Sequence, residues 1–124
     1  MNSERRARLK ELVADFPKSP GVYLMKNAKD KVIYVGKAKS LRARVRSYFN
    51  KIADESLKTK FLVNQIENVE YVLTQTEVEA FLLEASLIKK YRPRYNIRLK
   101  DDKAYPYIRL SAKDRFPRLY LARK

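Results

Sequence analysis

The chain has 124 residues, of which 29 are Lys or Arg and 14 are Asp or Glu, and with no histidine its formal charge at neutral pH is +15. A hydrophobic content of 45% is enough for one core of ordinary domain size and too little for two. The lack of cysteine and histidine excludes disulfides, thiolate or imidazole metal sites, cysteine nucleophiles and Ser-His-Asp triads, which leaves carboxylates, Lys, Arg, Tyr and Asn for any chemistry.

Ser3 is placed to cap a first helix, with Leu9, Leu12, Val13 and Phe16 at helical spacing and Pro17 closing it. The runs Gly21-Val22-Tyr23-Leu24-Met25 and Val32-Ile33-Tyr34-Val35-Gly36 are rich in β-formers and flank Asn27-Ala28-Lys29-Asp30, whose composition is that of a turn. They predict a β-hairpin. Symmetry about Ala28 and Lys29 sets Tyr23 directly across from Tyr34, a register that a bulge would break. Ser40 caps a second helix over 41–49, in which Leu41, Val45, Tyr48 and Phe49 share one side with Arg44 at its edge. A third helix over 57–66 presents Leu57, Phe61, Leu62 and Ile66, and residues 71–75 read as another strand. Thr76-Glu77-Val78-Glu79 is a capping box that opens a long helix ended by Pro93. Beyond Tyr95, residues 105–110 and 118–121 alternate weakly like edge strands.

The longest stretch without a charged side chain is the seven residues 19–25, whereas a membrane span needs roughly twenty apolar residues. The charged first twenty residues carry no apolar leader segment, and together with the absence of cysteine this fits a soluble chain in a reducing cytoplasm. So large a positive excess attracts polyanions, nucleic acid above all.

On a helical wheel with Ala80 at zero, Leu87, Tyr91, Ile88 and Phe81 fall between about −20° and +100°, and Glu84 falls at about 40°. A carboxylate within an apolar stripe requires a compensating cation, metal or proton, so Glu84 is either a buried salt-bridge partner or a metal or catalytic carboxylate. From Lys31 to Lys51 there are seven basic residues and no acidic one, and from Ala85 to Lys100 there are six and again none. Both runs are interleaved with tyrosines (Tyr48, Tyr91, Tyr95), a pattern that suits a nucleic-acid backbone track. Tyr23 and Tyr34 on their own are ordinary strand residues; Gly36, read as ending the strand so that backbone can approach a ligand, together with Lys37, Arg44 and Tyr48, points instead to a site.

Gly21-Val22-Tyr23 and Tyr34-Val35-Gly36, with eleven residues from one tyrosine to the other, resemble the signature of the GIY-YIG nucleases with Val for Ile in both halves. The wider runs 34–49 and 79–96 resemble the branch of that family that makes incisions in bacterial nucleotide excision repair, and the likeness covers about residues 15–110. The resemblance implies an α/β (α+β) fold, a small three-stranded antiparallel sheet flanked by helices, within a nuclease domain at 1–98 (core about 15–98). Residues 99–124 are then an extension that starts a linker to further domains. It implies Tyr23, Tyr34, Lys37, Arg44, Tyr48, Glu84 and Asn96 as active-site residues, with Glu84 as ligand of one divalent cation, Mg²⁺ or Mn²⁺. Lys39, Arg42, Arg46, Lys89, Lys90, Arg92 and Arg94 are expected to hold DNA phosphates.

The implied reaction is metal-assisted hydrolysis of a phosphodiester on the 3′ side of a lesion, in damaged duplex presented by UvrB with UvrA acting upstream. With no histidine available, the water is deprotonated by Tyr34 or Tyr23, which requires lowering a pKa near 10 by about three units, or else Tyr34 stays protonated and orients the water. Two other readings are a non-catalytic basic nucleic-acid-binding module and a sequence-specific nuclease of the same superfamily.

Overall fold

The hairpin forms, but with a different register. In the computed structural model, which describes residues 3–50 and 57–97, β1 (Gly21–Lys26) and β2 (Val32–Ala38) are antiparallel, with Tyr23 opposite Gly36 and Tyr34 opposite Met25. The reason is the loop. Asn27 accepts from the backbone N–H groups of Lys29 and Lys31 through its side-chain oxygen, and Asp30 takes a left-handed conformation at φ 63°. The connection is therefore a five-residue Asx-type loop rather than a two-residue turn. A bulge between Met25 and Lys26 leaves Ile33 as the extra residue, so Ile33 and Tyr34 both side with the layer that holds Tyr23. Tyr23 and Tyr34 do share a face, as diagonal neighbours with ring centroids 6.3 Å apart.

The third strand, β3 (Asn68–Leu73), pairs with the other side of β1 and completes a three-stranded antiparallel sheet of order β2-β1-β3. It begins three residues earlier than 71 and ends two before 75. Two of its first three residues, Asn68 and Glu70, are polar, so β-propensity alone does not reveal it; Glu70 instead joins Lys26 at 3.1 Å across the strand pair.

Three helices belong to the Tyr23 face: α1 (Ser3–Ala14), α2 (Leu41–Ser47) and α3 (Leu57–Gln65). Leu9, Val13, Phe16, Leu41, Val45, Phe49, Leu62, Val63 and Ile66 fill that layer with Met25 and the tyrosines. Ser40 caps α2 as expected, accepting from Ala43 N–H, although the helix stops at Ser47 and Tyr48 is its C-cap. Leu57 and Phe61 of α3 are exposed and Val63 takes the inward position instead. Arg5 and Arg8 both bind Glu67, and Arg6 donates to the Phe49 carbonyl, which fastens α1 across the sheet end.

The opposite face is covered by α4 (Glu77–Tyr91). Its N-cap Thr76 accepts from Glu79 N–H at 3.1 Å, while the Glu79 carboxylate accepts from Gln75 N–H at 2.7 Å, one residue earlier than an ideal capping box. It ends where Arg92 adopts φ 46° just before the buried Pro93. Ala80, Leu83, Leu87 and Ile88 pack on Val22, Leu24, Val32 and Val35. The inward stripe is thus rotated from the expected one: Leu83 faces the sheet and Phe81 is exposed. No helix among the described residues is long and apolar enough to cross a membrane. The expected strands at 105–110 and 118–121 lie outside the described residues.

Candidate active site

Tyr23 rises from the central strand, Tyr34 from the edge strand β2, and Tyr48 from the end of α2, and the three rings meet at one end of the layer beneath Arg44. The Tyr23 and Tyr48 hydroxyls share a hydrogen bond of 2.8 Å, buried in the layer. Arg44 Nη2 donates to the Tyr48 hydroxyl at 3.3 Å, and its guanidinium lies 5.1 Å from the centre of the Tyr48 ring. Helix periodicity explains this pairing, because Arg44 and Tyr48 are four residues apart on α2.

Accessibility separates the three phenols. Tyr23 is 1% exposed and Tyr48 7%, so neither ring offers much surface to a ligand, whereas Tyr34 is only partly buried. Burial pushes the Tyr23 hydroxyl up to about 12, Tyr34 adds to the rise, and Tyr48 and Arg44 oppose it. Burial also raises Tyr34, reinforced by Tyr48 and by the Glu84 carboxylate. Tyr48 is raised by burial and by Tyr23. Lost hydration alone would lower the pKa of Arg44, but the tyrosine oxygens around it, Tyr23 foremost, outweigh that and raise it. In the protein alone every one of these phenols is a proton holder at neutral pH. Without cation or DNA, burial raises these phenols, because desolvation outweighs the one nearby guanidinium.

Glu84 stands on α4, half-buried, and its carboxylate contributes to the rise in the Tyr34 pKa. Among the described residues no three His, Cys, Asp or Glu side chains gather as a metal cage. A single half-buried carboxylate near a phenol suits Mg²⁺ by its donor chemistry, since that ion keeps most of its waters and is held by one or two carboxylates together with substrate phosphate. The residues therefore fit the expected cation.

Asn96 is 5% exposed, and its amide makes both hydrogen bonds of a strand partner to Val35. Its oxygen accepts from Val35 N–H at 2.8 Å and its nitrogen donates to Val35 C=O at 2.9 Å, on the outer edge of β2. It secures the backbone between Tyr34 and Gly36.

Lys37 lines an open cleft of about 540 Å³ together with Ala38, Lys39, Ser40, Ala43, Arg44, Ser47, Glu77 and Ala80. Ser47 and Glu77 are not among the expected site residues, although Ser47 lies in the run 34–49 and Glu77 in the capping box of α4. Periodicity carries both, since Ser47 follows Arg44 by three residues and Glu77 precedes Glu84 by seven. Of the residues expected on DNA, Lys39 is in this cleft and Arg46 is exposed on α2. Arg42 is directed elsewhere: its Nε donates to the Phe16 carbonyl at 2.8 Å. Lys89, Lys90, Arg92 and Arg94 form a separate exposed group at the end of α4, with Lys90 5.1 Å from the Tyr91 ring centre and Arg94 5.9 Å from that of Tyr95.

Residues 19–97 match the family model of the UvrC-like GIY-YIG domain. The chain belongs to the UvrC-like GIY-YIG family. Over all 124 residues it is 66% identical to UvrABC system protein C of Bdellovibrio bacteriovorus, and over 107 residues, 86% of the chain, it is 54% identical to that of Clostridium tetani. It spans only 20% and 17% of the length of those proteins. Among solved structures, the GIY-YIG N-terminal endonuclease domain of UvrC from Thermotoga maritima, bound to its catalytic magnesium, matches with TM-score 0.62 and 41% identity, covering 77% of this chain and 98% of that one. Variants of that UvrC domain with one Asn changed to Ala, or one Tyr to Phe at three different positions, are also described as bound to the catalytic divalent cation.

Proposed function

We propose that this UvrC-like domain is the metal-dependent endonuclease that makes the 3′ incision beside a lesion in bacterial nucleotide excision repair, as part of a longer cytoplasmic protein. One observation carries the reading: the accessible phenol of β2 packs on the hydrogen-bonded Tyr23–Tyr48 pair, to which Arg44 also donates. A basic module that only binds nucleic acid needs no such assembly. The substrate is damaged duplex DNA, delivered by UvrB after UvrA has acted, through regions of the longer protein. Residues 1–98 form the nuclease domain, and 99–124 begin a linker to further domains.

Glu84 would hold the divalent cation, Mg²⁺ or Mn²⁺, which would supply charge neutralisation at the scissile phosphate. Arg44 stabilises the charge that grows on the phosphate oxygens, as its planar fork suits it to do. Tyr48 and Tyr23 fix Arg44 and the phenol cluster in place. Tyr34, the most accessible of the three phenols, keeps its proton at neutral pH in the free protein and orients the attacking water. Lys37 and Lys39 hold the phosphate that enters the cleft. Arg46 and the group at the end of α4 hold neighbouring phosphates.

The test uses the longer protein loaded by UvrB on a lesion-containing duplex. Glu84→Ala removes the cut on the 3′ side while loading on the damaged DNA persists, and retained 3′ cutting overturns the assignment. In Tyr34→Phe the rate falls. A pH-rate profile that also loses a limb near neutrality would show that Tyr34 is the base instead.

A further inference from the structure

The sequence has only two glycines, and neither takes a positive φ. Both are therefore there for space, not for backbone conformation. At Gly21 an added Cβ would meet the Val72 carbonyl oxygen at 2.5 Å and Leu41 Cδ1 at 2.7 Å, so that glycine serves close packing of the scaffold. At Gly36 the neighbour is a different kind of atom. An added Cβ would lie 2.3 Å from both Cζ and the hydroxyl oxygen of Tyr23 and 2.8 Å from its Cε2.

Carbon atoms in contact sit about 3.5–4.0 Å apart, so no side chain fits there while Tyr23 keeps its place. Strand side chains ordinarily stand roughly perpendicular to the sheet. Tyr23 instead lies across it, because the tip of its ring, not its root, covers the residue opposite in the register. That posture brings its hydroxyl to 2.8 Å from the hydroxyl of Tyr48, whose oxygen is also the acceptor for Arg44. The ring has little freedom to yield, being 1% exposed and flanked by Tyr34 and Tyr48. A glycine inside a strand is intrinsically less favourable than alanine, so strand propensity does not account for it at this position.

We propose that Gly36 is a positioning residue of the site: its missing side chain is the seat on which Tyr23 lies flat, and through Tyr23 it sets the Tyr48 hydroxyl and Arg44. Its effect on rate rests on the endonuclease reading; its effect on the tyrosines does not. The sequence expectation that Gly36 lets backbone approach a ligand is corrected accordingly, since the space above it is taken by Tyr23 and the strand continues to Ala38.

The experiment places Gly36→Ala in the 124-residue chain with and without Tyr23→Ala. In the Tyr23 background the denaturation midpoint falls and phenol NMR titration shows Tyr23 moving down toward ordinary tyrosine values. In the Tyr23→Ala background the same glycine substitution leaves the midpoint nearly unchanged. In the longer protein, Gly36→Ala lowers the turnover rate roughly tenfold or more at saturating DNA, with the half-saturating DNA concentration unaltered. Equal destabilisation in both backgrounds, or Tyr23 and Tyr48 titrating as in the unaltered chain, overturns the proposal. An unaltered protein that cannot cut DNA with Mg²⁺ present would count against the endonuclease reading, while the coupling between positions 36 and 23 would still be measurable.

Discussion

On one face of the sheet Val22, Leu24, Val32 and Val35 meet Ala80, Leu83, Leu87 and Ile88, all aliphatic; on the other, Tyr23, Tyr34, Tyr48 and Tyr95 bring four hydroxyls into an otherwise apolar layer. Aliphatic burial is non-directional, so that layer tolerates exchange among side chains of similar volume. Buried phenols must have their hydroxyls satisfied, which fixes each ring to one pose. The same strands therefore carry a forgiving scaffold on one side and an exacting one on the other, and the proposed catalytic phenols stand on the exacting side. Glu84 crosses this division: it stands on the helix of the aliphatic face, and its carboxylate contributes to the rise in the pKa of Tyr34 on the other.

The largest expected effect breaks the comparison at that crossing. Glu84→Gln keeps the size of the side chain and removes its charge, and DNA cutting falls by roughly 10²–10³-fold or more, in the range seen when one charge-stabilising group is lost from an active site. Thermal unfolding shows little change, because α4 remains held by its four inward residues. A comparable loss from Leu83→Met, a substitution on the aliphatic side, would show that the two faces do not divide in this way.

Next in size is Asn96→Ala. It leaves the N–H and C=O of Val35, a fully buried residue, without the partners that Asn96 supplies on the strand edge. The expected cost is about 1–3 kcal/mol for each group that water cannot reach, read as a shift in the denaturant midpoint. Cutting should fall as well, since Tyr34 and Gly36 flank the released residue. Asn96→Asp tests the arrangement further: an ionised carboxylate cannot donate to the Val35 carbonyl and should do no better than Ala.

Tyr23→Phe has a smaller effect on stability, about 1 kcal/mol for one hydrogen bond, and an informative pH dependence. The phenol titrates near 10.0 when unfolded and near 12 when folded. The native state thus holds a proton that the unfolded state releases. Stability is intact below pH 10 and is lost as pH rises toward about 12. Removing the hydroxyl should flatten that alkaline decline, measured by chemical denaturation at successive pH values. Tyr48→Phe should flatten it too, because its pKa moves the same way for the same first cause, burial.

Much of this fold is legible in the residues themselves, and the exceptions share a cause. The hairpin, the Ser40 and Thr76 caps and the stop at Arg92-Pro93 are local, governed by side chains within a few positions of one another. The register departs from the symmetric expectation because a left-handed Asp30 and a bulge at Ile33 shift the pairing, and neither leaves a mark in hydrophobic alternation. The start of β3 is hidden because Asn68 and Glu70 lie on an edge strand where polar residues are tolerated. At the site, the motif brings the tyrosines, Arg44 and Glu84 into view. The hydrogen bonds of Asn96 to a strand residue 61 positions away and the ring lying over Gly36 are tertiary facts that no local pattern encodes.

The smallest expected effect separates two cations three residues apart. Lys39 lines the cleft beside Arg44, whereas Arg42 is tied through its Nε to the Phe16 carbonyl, and its backbone N–H donates to Pro17. A lysine that neutralises one DNA phosphate contributes about 0.9 to the slope of log affinity against log salt. Lys39→Ala should therefore lower the slope by nearly that amount and leave unfolding unchanged. Arg42→Ala should do the reverse, loosening the joint between α1 and α2 with little change in slope. If both substitutions lower the slope alike, Arg42 leaves its carbonyl partner to reach DNA, and the basic run from Lys31 to Lys51 acts as one continuous track after all. If neither does, the phosphates are held chiefly by the exposed group at the end of α4, and Lys89→Ala or Lys90→Ala becomes the substitution that moves the slope.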